Sequence, residues 1–138
     1  MPADAVSVSP SGTFGSATLV VALDLSKVLA GGFSAAQGRF AATYNVYVAA
    51  LVPSGVLGLS DASWFVLYPA TRAWGELGSP IAAYLEGIAE NATNFVEISI
   101  LQEMDVTGLV GSEIYIGYGT SDTEMLLERR YRGVYKVQ

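Results

Sequence analysis

Apolar and polar positions alternate with a period of two over several short stretches of this chain, the pattern of strands buried on one face. Val6-Ser7-Val8 is the first, and it runs into a turn cluster, Ser9-Pro10-Ser11-Gly12. Ser16 to Leu25 places Leu19, Val21, Leu23 and Leu25 on one side and Thr18, Val20, Ala22 and Asp24 on the other. Lys27 to Arg39 is rich in small residues around Gly31-Gly32 and reads as a loop with room for one helical turn. Ala41 to Val52 predicts a long strand with Tyr44, Val46, Val48 and Ala50 together, closed by Pro53-Ser54-Gly55. Val56 to Leu59 suggests a short strand, and Trp64 to Tyr68 another that stops at Pro69. Arg72 to Pro80 reads as a loop carrying Trp74. Ile81 to Glu90 is ambiguous, because Ile81, Tyr84, Leu85 and Ile88 have helical spacing. Asn94 to Leu101 alternates cleanly, with Val96, Ile98 and Ile100 opposite Phe95, Glu97 and Ser99, and Met104 to Gly108 turns the chain.

The last thirty or so residues carry the densest set of local signals. Glu113 to Tyr118 is β-branched and aromatic, which suits a half-buried strand, and Gly119 breaks it. Ser121-Asp122-Thr123-Glu124 matches a capping box, in which a Ser hydroxyl and a Glu carboxylate satisfy amide donors at a helix start. Met125, Leu126 and Leu127 supply an apolar helical face, and Arg129 and Arg130 lie where cations favour a helix end. Tyr131 to Val137 resumes alternation, with Tyr131, Gly133, Tyr135 and Val137 on one side. About eight short strands with turn signals between them, plus one short helix near the C-terminus, predict an all-β chain: an antiparallel β-sandwich, immunoglobulin-like, as a single domain over residues 1–138. Residues 1–12 read as a leading strand and hinge. Val6 and Val8 would pair within their own sheet, or be donated to a neighbour's open edge as an assembly strand.

The same C-terminal residues resemble a β-rich module found at the ends of secreted and surface proteins of Gram-negative bacteria, some of them adhesin-like chains and pilus-tip proteins. Its pattern is a "GL-x-G" lead, an aromatic strand ending in "GYG", a short helix with "ML", and a terminal "RY-x-x-VY". Here these are Gly108 to Gly111, Tyr115 to Gly119, Met125-Leu126, and Arg130-Tyr131 with Val134-Tyr135. Looser matches at Asn45 to Ala50, Trp64 to Tyr68 and Pro80 to Tyr84 extend the likeness from Asn45 to Val137. Where the family has Gly or Asn before the "RY", this chain has Glu128-Arg129. The resemblance implies a strand around Ile81 to Leu85 and a secreted or cell-surface setting.

Composition narrows the function classes. Hydrophobic residues make up 51% and charged ones 14%, against a usual charged share of about 25%. Two inner sandwich faces account for much of that excess, and burial of outer surface against a copy or partner accounts for it equally well. The net charge of −6 argues against nucleic acid, whose binding needs a basic surface. Four of the seven cations, Arg129, Arg130, Arg132 and Lys136, cluster at the end, which suits a head-to-tail contact or a solvated basic edge strand. With no Cys and no His there is neither a disulfide framework nor a Cys/His zinc site. No apolar run reaches the ~18 residues of a membrane span, and Met1-Pro2-Ala3-Asp4 lacks the marks of a signal peptide.

No nucleophile stands beside a plausible base. Gly58-Leu59-Ser60-Asp61-Ala62 lacks the second glycine of a nucleophile elbow. The pairs Glu86 with Glu90 and Glu124 with Glu128 read as solvated charge, and the carboxylates at Glu103 and Asp105 or Asp122 and Glu124 lack calcium-loop spacing. Asn91-Ala92-Thr93 fits a glycosylation acceptor, marking Asn91 as a modification candidate. Trp74 is a candidate ligand anchor, because tryptophan is enriched at binding hot spots. Tyr115, Tyr118, Tyr131 and Tyr135 fall on two strands and predict either a cross-strand aromatic ladder or core packing with hydroxyls at the rim. The expectation is a protein without catalysis, cofactor or metal. It would be a structural subunit or accessory domain of an extracellular, filament- or pilus-like assembly, associating with itself or another surface protein through apolar faces and strand edges. The alternative is an adhesin-type module that holds a glycan or protein at Trp74.

Overall fold

The computed structural model describes residues 3–28, 43–69, 73–78, 80–89 and 91–138. In chain order its strands are β1 (Val6–Thr13), β2 (Ser16–Asp24), β3 (Thr43–Val52), β4 (Ser63–Leu67), β5 (Trp74–Glu76), β6 (Leu85–Ala89), β7 (Phe95–Met104), β8 (Glu113–Gly119) and β9 (Tyr131–Lys136). Helix α1 (Leu25–Val28) follows β2, and α2 (Asp122–Leu127) lies between β8 and β9. All strand pairs are antiparallel. One sheet has the order β1-β2-β7, and the other runs β5-β4-β3-β8-β9. Strand β3 organises the larger sheet. β8 pairs along one edge, while β4 covers its second half and β6 its first half on the other.

The period-two pattern places the core between the sheets. Leu19, Val21 and Leu23 of β2 and Ile98 and Ile100 of β7 face Tyr44, Val46, Val48 and Ala50 of β3 and Ile114, Ile116 and Tyr118 of β8. Each such aliphatic side chain removed from water stabilises the fold by roughly 1.5–3 kcal/mol. The predicted antiparallel β-sandwich with a short helix near its C-terminus is therefore the observed architecture, with nine strands among the described residues.

Several local expectations change. Ser9 to Gly12 is not a turn: β1 continues through it to Thr13, and the chain reverses at Phe14-Gly15. Pro10 is tolerated because β1 is an edge strand with a single partner, so one side of its backbone needs no ladder. Val6 and Val8 pair with Leu23 and Val21 in their own sheet, half-buried against the core. Val56 to Gly58 is a 3-10 turn rather than a strand, with Leu57 in the left-handed region at φ 57°. Trp74 opens β5 and pairs with Leu67, so it is a strand residue and not the tip of a loop. The strand expected around Ile81 to Leu85 begins instead at Leu85, because Ile81 is tied to α2, its amide donating to Asp122 Oδ2 at 2.8 Å. The loop from Lys27 to Arg39 lies, after Val28, outside the described residues, as do Arg72 and Glu90.

The smaller sheet has irregular margins. Strand β7 pairs with β2 through two register shifts, and Glu103 adopts φ 49°. Bulges on one edge and a proline on the other are devices that discourage edge-to-edge pairing.

Two tyrosines sit fully inside the core. Tyr44 and Tyr118 are each 1% exposed and meet edge to face at 6.0 Å. Burial, reinforced by Tyr118, pushes the Tyr44 phenol up from 10.0 to about 12. The folded chain thus holds this proton to higher pH than the unfolded chain does. The associated stability is complete below pH 10.0 and is lost as pH rises through about 12. Burial raises the Tyr118 and Tyr47 phenols in the same sense. Urea midpoints should therefore be flat up to that window and fall steeply across it. The Tyr44 hydroxyl has no partner among the described residues, so Tyr44→Phe should flatten part of the fall and cost nothing at neutral pH. A drop of about 1 kcal/mol at neutral pH, the usual loss of a bonded hydroxyl, would contradict this.

Candidate functional site

The outer face of the larger sheet carries a concavity, and α2 makes one wall of it. Ser121 caps the helix, its Oγ accepting from the Glu124 amide at 3.1 Å. The Glu124 carboxylate reaches back to the Thr120 amide at 3.2 Å, one residue before the position a standard capping box uses. At the other end the Arg130 amide donates to the Met125 carbonyl at 3.0 Å and the Arg129 amide to the Leu126 carbonyl at 3.3 Å. That is a Schellman closure, whose left-handed position is usually glycine. Here Arg129 occupies it at φ 53°. This arginine is thus held in a conformation that disfavours side chains. Arg129→Gly should stabilise the protein by roughly 0.5–1 kcal/mol, the relief of left-handed strain less glycine's larger unfolded entropy. A lowered melting temperature would show that the arginine side chain contributes more than the strain costs.

Helix α2 lies against the sheet through Met125, and the sheet accommodates it with Gly117. A Cβ on Gly117 would overlap Met125 Sδ and approach the Arg130 carbonyl oxygen to 3.2 Å. Arg130 then folds under the helix. It is 5% exposed, its guanidinium lies 5.7 Å from the Tyr118 ring, and its Nη1 donates to Glu124 Oε1 at 3.1 Å. The cationic cluster of the sequence is therefore not one surface patch: Arg130 is internal, and Lys136 lies 4.0 Å from Glu113.

Another wall comes from Ile81, tied to α2 by its hydrogen bond to Asp122, and from Leu77, whose amide donates to the Trp64 carbonyl at 3.2 Å. The floor is Tyr47, Ala49, Tyr115 and Gly117, and Trp64 and Tyr131 close the sides. The groove encloses about 350 Å³. Its rim is apolar and open to solvent: Trp64 is 37% exposed, Leu77 40%, Leu126 50% and Tyr131 38%, with Leu127 beside them at 77%. The rings form a chain, Trp64 to Tyr115 at 5.1 Å and Tyr115 to Tyr131 at 6.4 Å. The Tyr115 hydroxyl donates to Glu113 Oε2 at 2.9 Å, and that bond, with burial second, raises its phenol.

The four tyrosines singled out in the sequence are split by this geometry. Tyr115 and Tyr131 meet on the outer face, whereas Tyr118 points into the core and is out of reach of any ligand. A register shift in the β8–β9 pair brings Tyr135 opposite Ile114, and it packs against the core beside a cleft formed by the β1–β2 hairpin. Asn91 is exposed in the turn between β6 and β7, and Thr93 is exposed with it. Trp74 is half-buried, packed on the core at the open end of the sandwich. Trp64, Leu77 and Leu126 are groove residues that alternation alone did not mark. The signal for Trp64 was available, since a tryptophan on the outward side of a strand needs a covering.

Of the four carboxylates considered as calcium ligands, three (Asp105, Asp122 and Glu124) are already engaged. Asp122 accepts from Ile81 and Thr123, Asp105 from Thr107, and Glu124 from Arg130. Among the described residues no group of three or more acidic, histidine or cysteine side chains is placed to hold a metal, and no helix is long and apolar enough to cross a membrane.

The fold defines the class as an all-β antiparallel sandwich whose larger sheet carries a helix-walled apolar groove. No family model, no curated protein and no solved structure matches the chain.

Proposed function

We propose that the protein is a non-catalytic structural subunit that assembles through the outer face of its larger sheet. The observation that carries this reading is the groove rim. Trp64, Leu77, Leu126 and Tyr131 are large, apolar and substantially exposed around one concavity, and Leu127, next to Leu126 in the chain, is also exposed. Contiguous apolar surface of this kind marks an interaction site, and aromatic anchors are what protein interfaces use at their centres. The groove offers few hydrogen-bonding groups, which favours an apolar protein surface over a glycan. Since proline and bulges blunt the edges of the smaller sheet, the face rather than the strand edge is the assembling element. A secreted or cell-surface setting and a filament- or pilus-like assembly rest on the sequence resemblance.

The adhesin alternative has less to support it. Trp74 lies against the core rather than standing out from a loop. Sedimentation velocity, with electron microscopy of the same sample, separates the two. Assembly predicts particles far larger than the 14.5 kDa chain, and dissociation to monomer in the double variant Leu126→Glu, Leu127→Glu, whose substitutions fall on exposed helix positions. A wild-type protein that stays monomeric at all concentrations would end this reading.

A further inference from the structure

The open end of the sandwich holds a second cavity of about 400 Å³, separate from the outer groove and within the size range of small-molecule sites. It is the end of the core left unfilled between the sheets, walled by inward residues such as Leu101 and Ile114. Two aromatic side chains, Phe65 and Trp74, line it, and Leu109 stands at the turn before β8. One polar group lies deep among them. Ser112 is 4% exposed, and its Oγ has no hydrogen-bond partner among the described residues. A buried hydroxyl without a partner carries a desolvation cost of about 1–3 kcal/mol, a cost that a ligand supplying the missing bond would remove.

The rim adds two constraints. Asp105 lines the cavity from an exposed position, and the Thr107 side chain first, then the Thr107 amide donating to Oδ1 at 3.0 Å, hold its carboxyl below the ordinary range. The mouth is therefore negative at neutral pH and disfavours anions. Leu57, 63% exposed, lines the same mouth in a left-handed conformation that leucine rarely adopts. Backbone strain of this kind concentrates at ligand clamps and switch regions.

We propose that this cavity is a binding site for a small, uncharged aromatic molecule, whose ring packs against Trp74 and Phe65 and whose single hydroxyl or ring N–H bonds to Ser112 Oγ. The site is independent of the assembling face, so it stands or falls apart from that reading.

Naphthol is a suitable probe and naphthoate its anionic counterpart, both titrated calorimetrically into the full chain. Naphthol should bind saturably and naphthoate at least tenfold more weakly. Ser112→Ala should weaken naphthol about fivefold, the equivalent of one neutral hydrogen bond, without lowering the melting temperature of the free protein. Leu109→Trp, which fills the mouth, should abolish binding. If that variant does not fold, the Ser112→Ala comparison decides. Absence of naphthol binding, equal affinity for the two probes, or an affinity unchanged by Ser112→Ala would each overturn the proposal.

Discussion

Arg130→Ala is expected to destabilise the protein by about 3–5 kcal/mol, the cost of breaking a buried ion pair from one side. The two partners are nearly inaccessible, with side-chain exposures of 6% for Arg130 and 12% for Glu124. Removing the guanidinium strands a carboxylate whose second oxygen, Oε2, already has no partner among the described residues. The loss also empties the space beside Tyr118 that the guanidinium fills. The double variant Arg130→Met, Glu124→Gln should recover most of the stability, since it removes the charge on both sides and retains volume. Thermal or urea denaturation of the two variants checks this. Equal losses in both would mean that packing of the arginine stem, and not charge, holds α2 down.

Gly117→Val is expected to cost about 3 kcal/mol, at the upper end of overpacking penalties. The new side chain would meet Met125 Sδ, which is flexible, but also the Arg130 carbonyl oxygen, which is backbone and bonded to the Tyr118 amide at 3.0 Å. The helix therefore has to lift rather than adjust. Because α2 forms one wall of the outer groove, the assembly proposed for that face predicts that the variant fails to assemble at temperatures where the sandwich is still folded. Circular dichroism and sedimentation on the same sample measure both. A variant that assembles normally would show that the helix wall is dispensable to the contact.

Much of the sandwich was legible because its inner strands obey simple alternation. β2, β3, the first part of β7 and β8 each read correctly from side-chain period alone, and the Ser121 cap and the helix after it from local chemistry. The failures share a physical cause, which is tertiary pairing that overrides local signals. Pro10 and Gly12 look like a turn, yet β2 supplies a partner for the whole length of β1. Trp74 sits among loop formers, yet β4 recruits it as a strand. At the candidate site, Tyr115 was foreseeable as an outward aromatic. The bulge in the β8–β9 pair, which sends Tyr131 outward and Tyr135 toward the core, leaves no mark in residue spacing. Likewise, the basic tail appeared to be a surface cluster because no local rule shows that Arg130 turns inward.

The central place of β3 also bears on how the molecule is made. Its partners β4, β6 and β8 all follow it in the chain, and β8, which pairs with Asn45 to Leu51 along one edge, comes last. During synthesis one edge of β3 therefore stays unpaired until residues 113–119 have emerged. Hairpins such as β1–β2 and β8–β9 close over short distances and form quickly, but the larger sheet is sealed only by non-local pairing, the slow class of folding event. The interval in which a bare β3 can pair with the wrong neighbour is the most hazardous in the life of the chain, and assistance from a chaperone would matter most then.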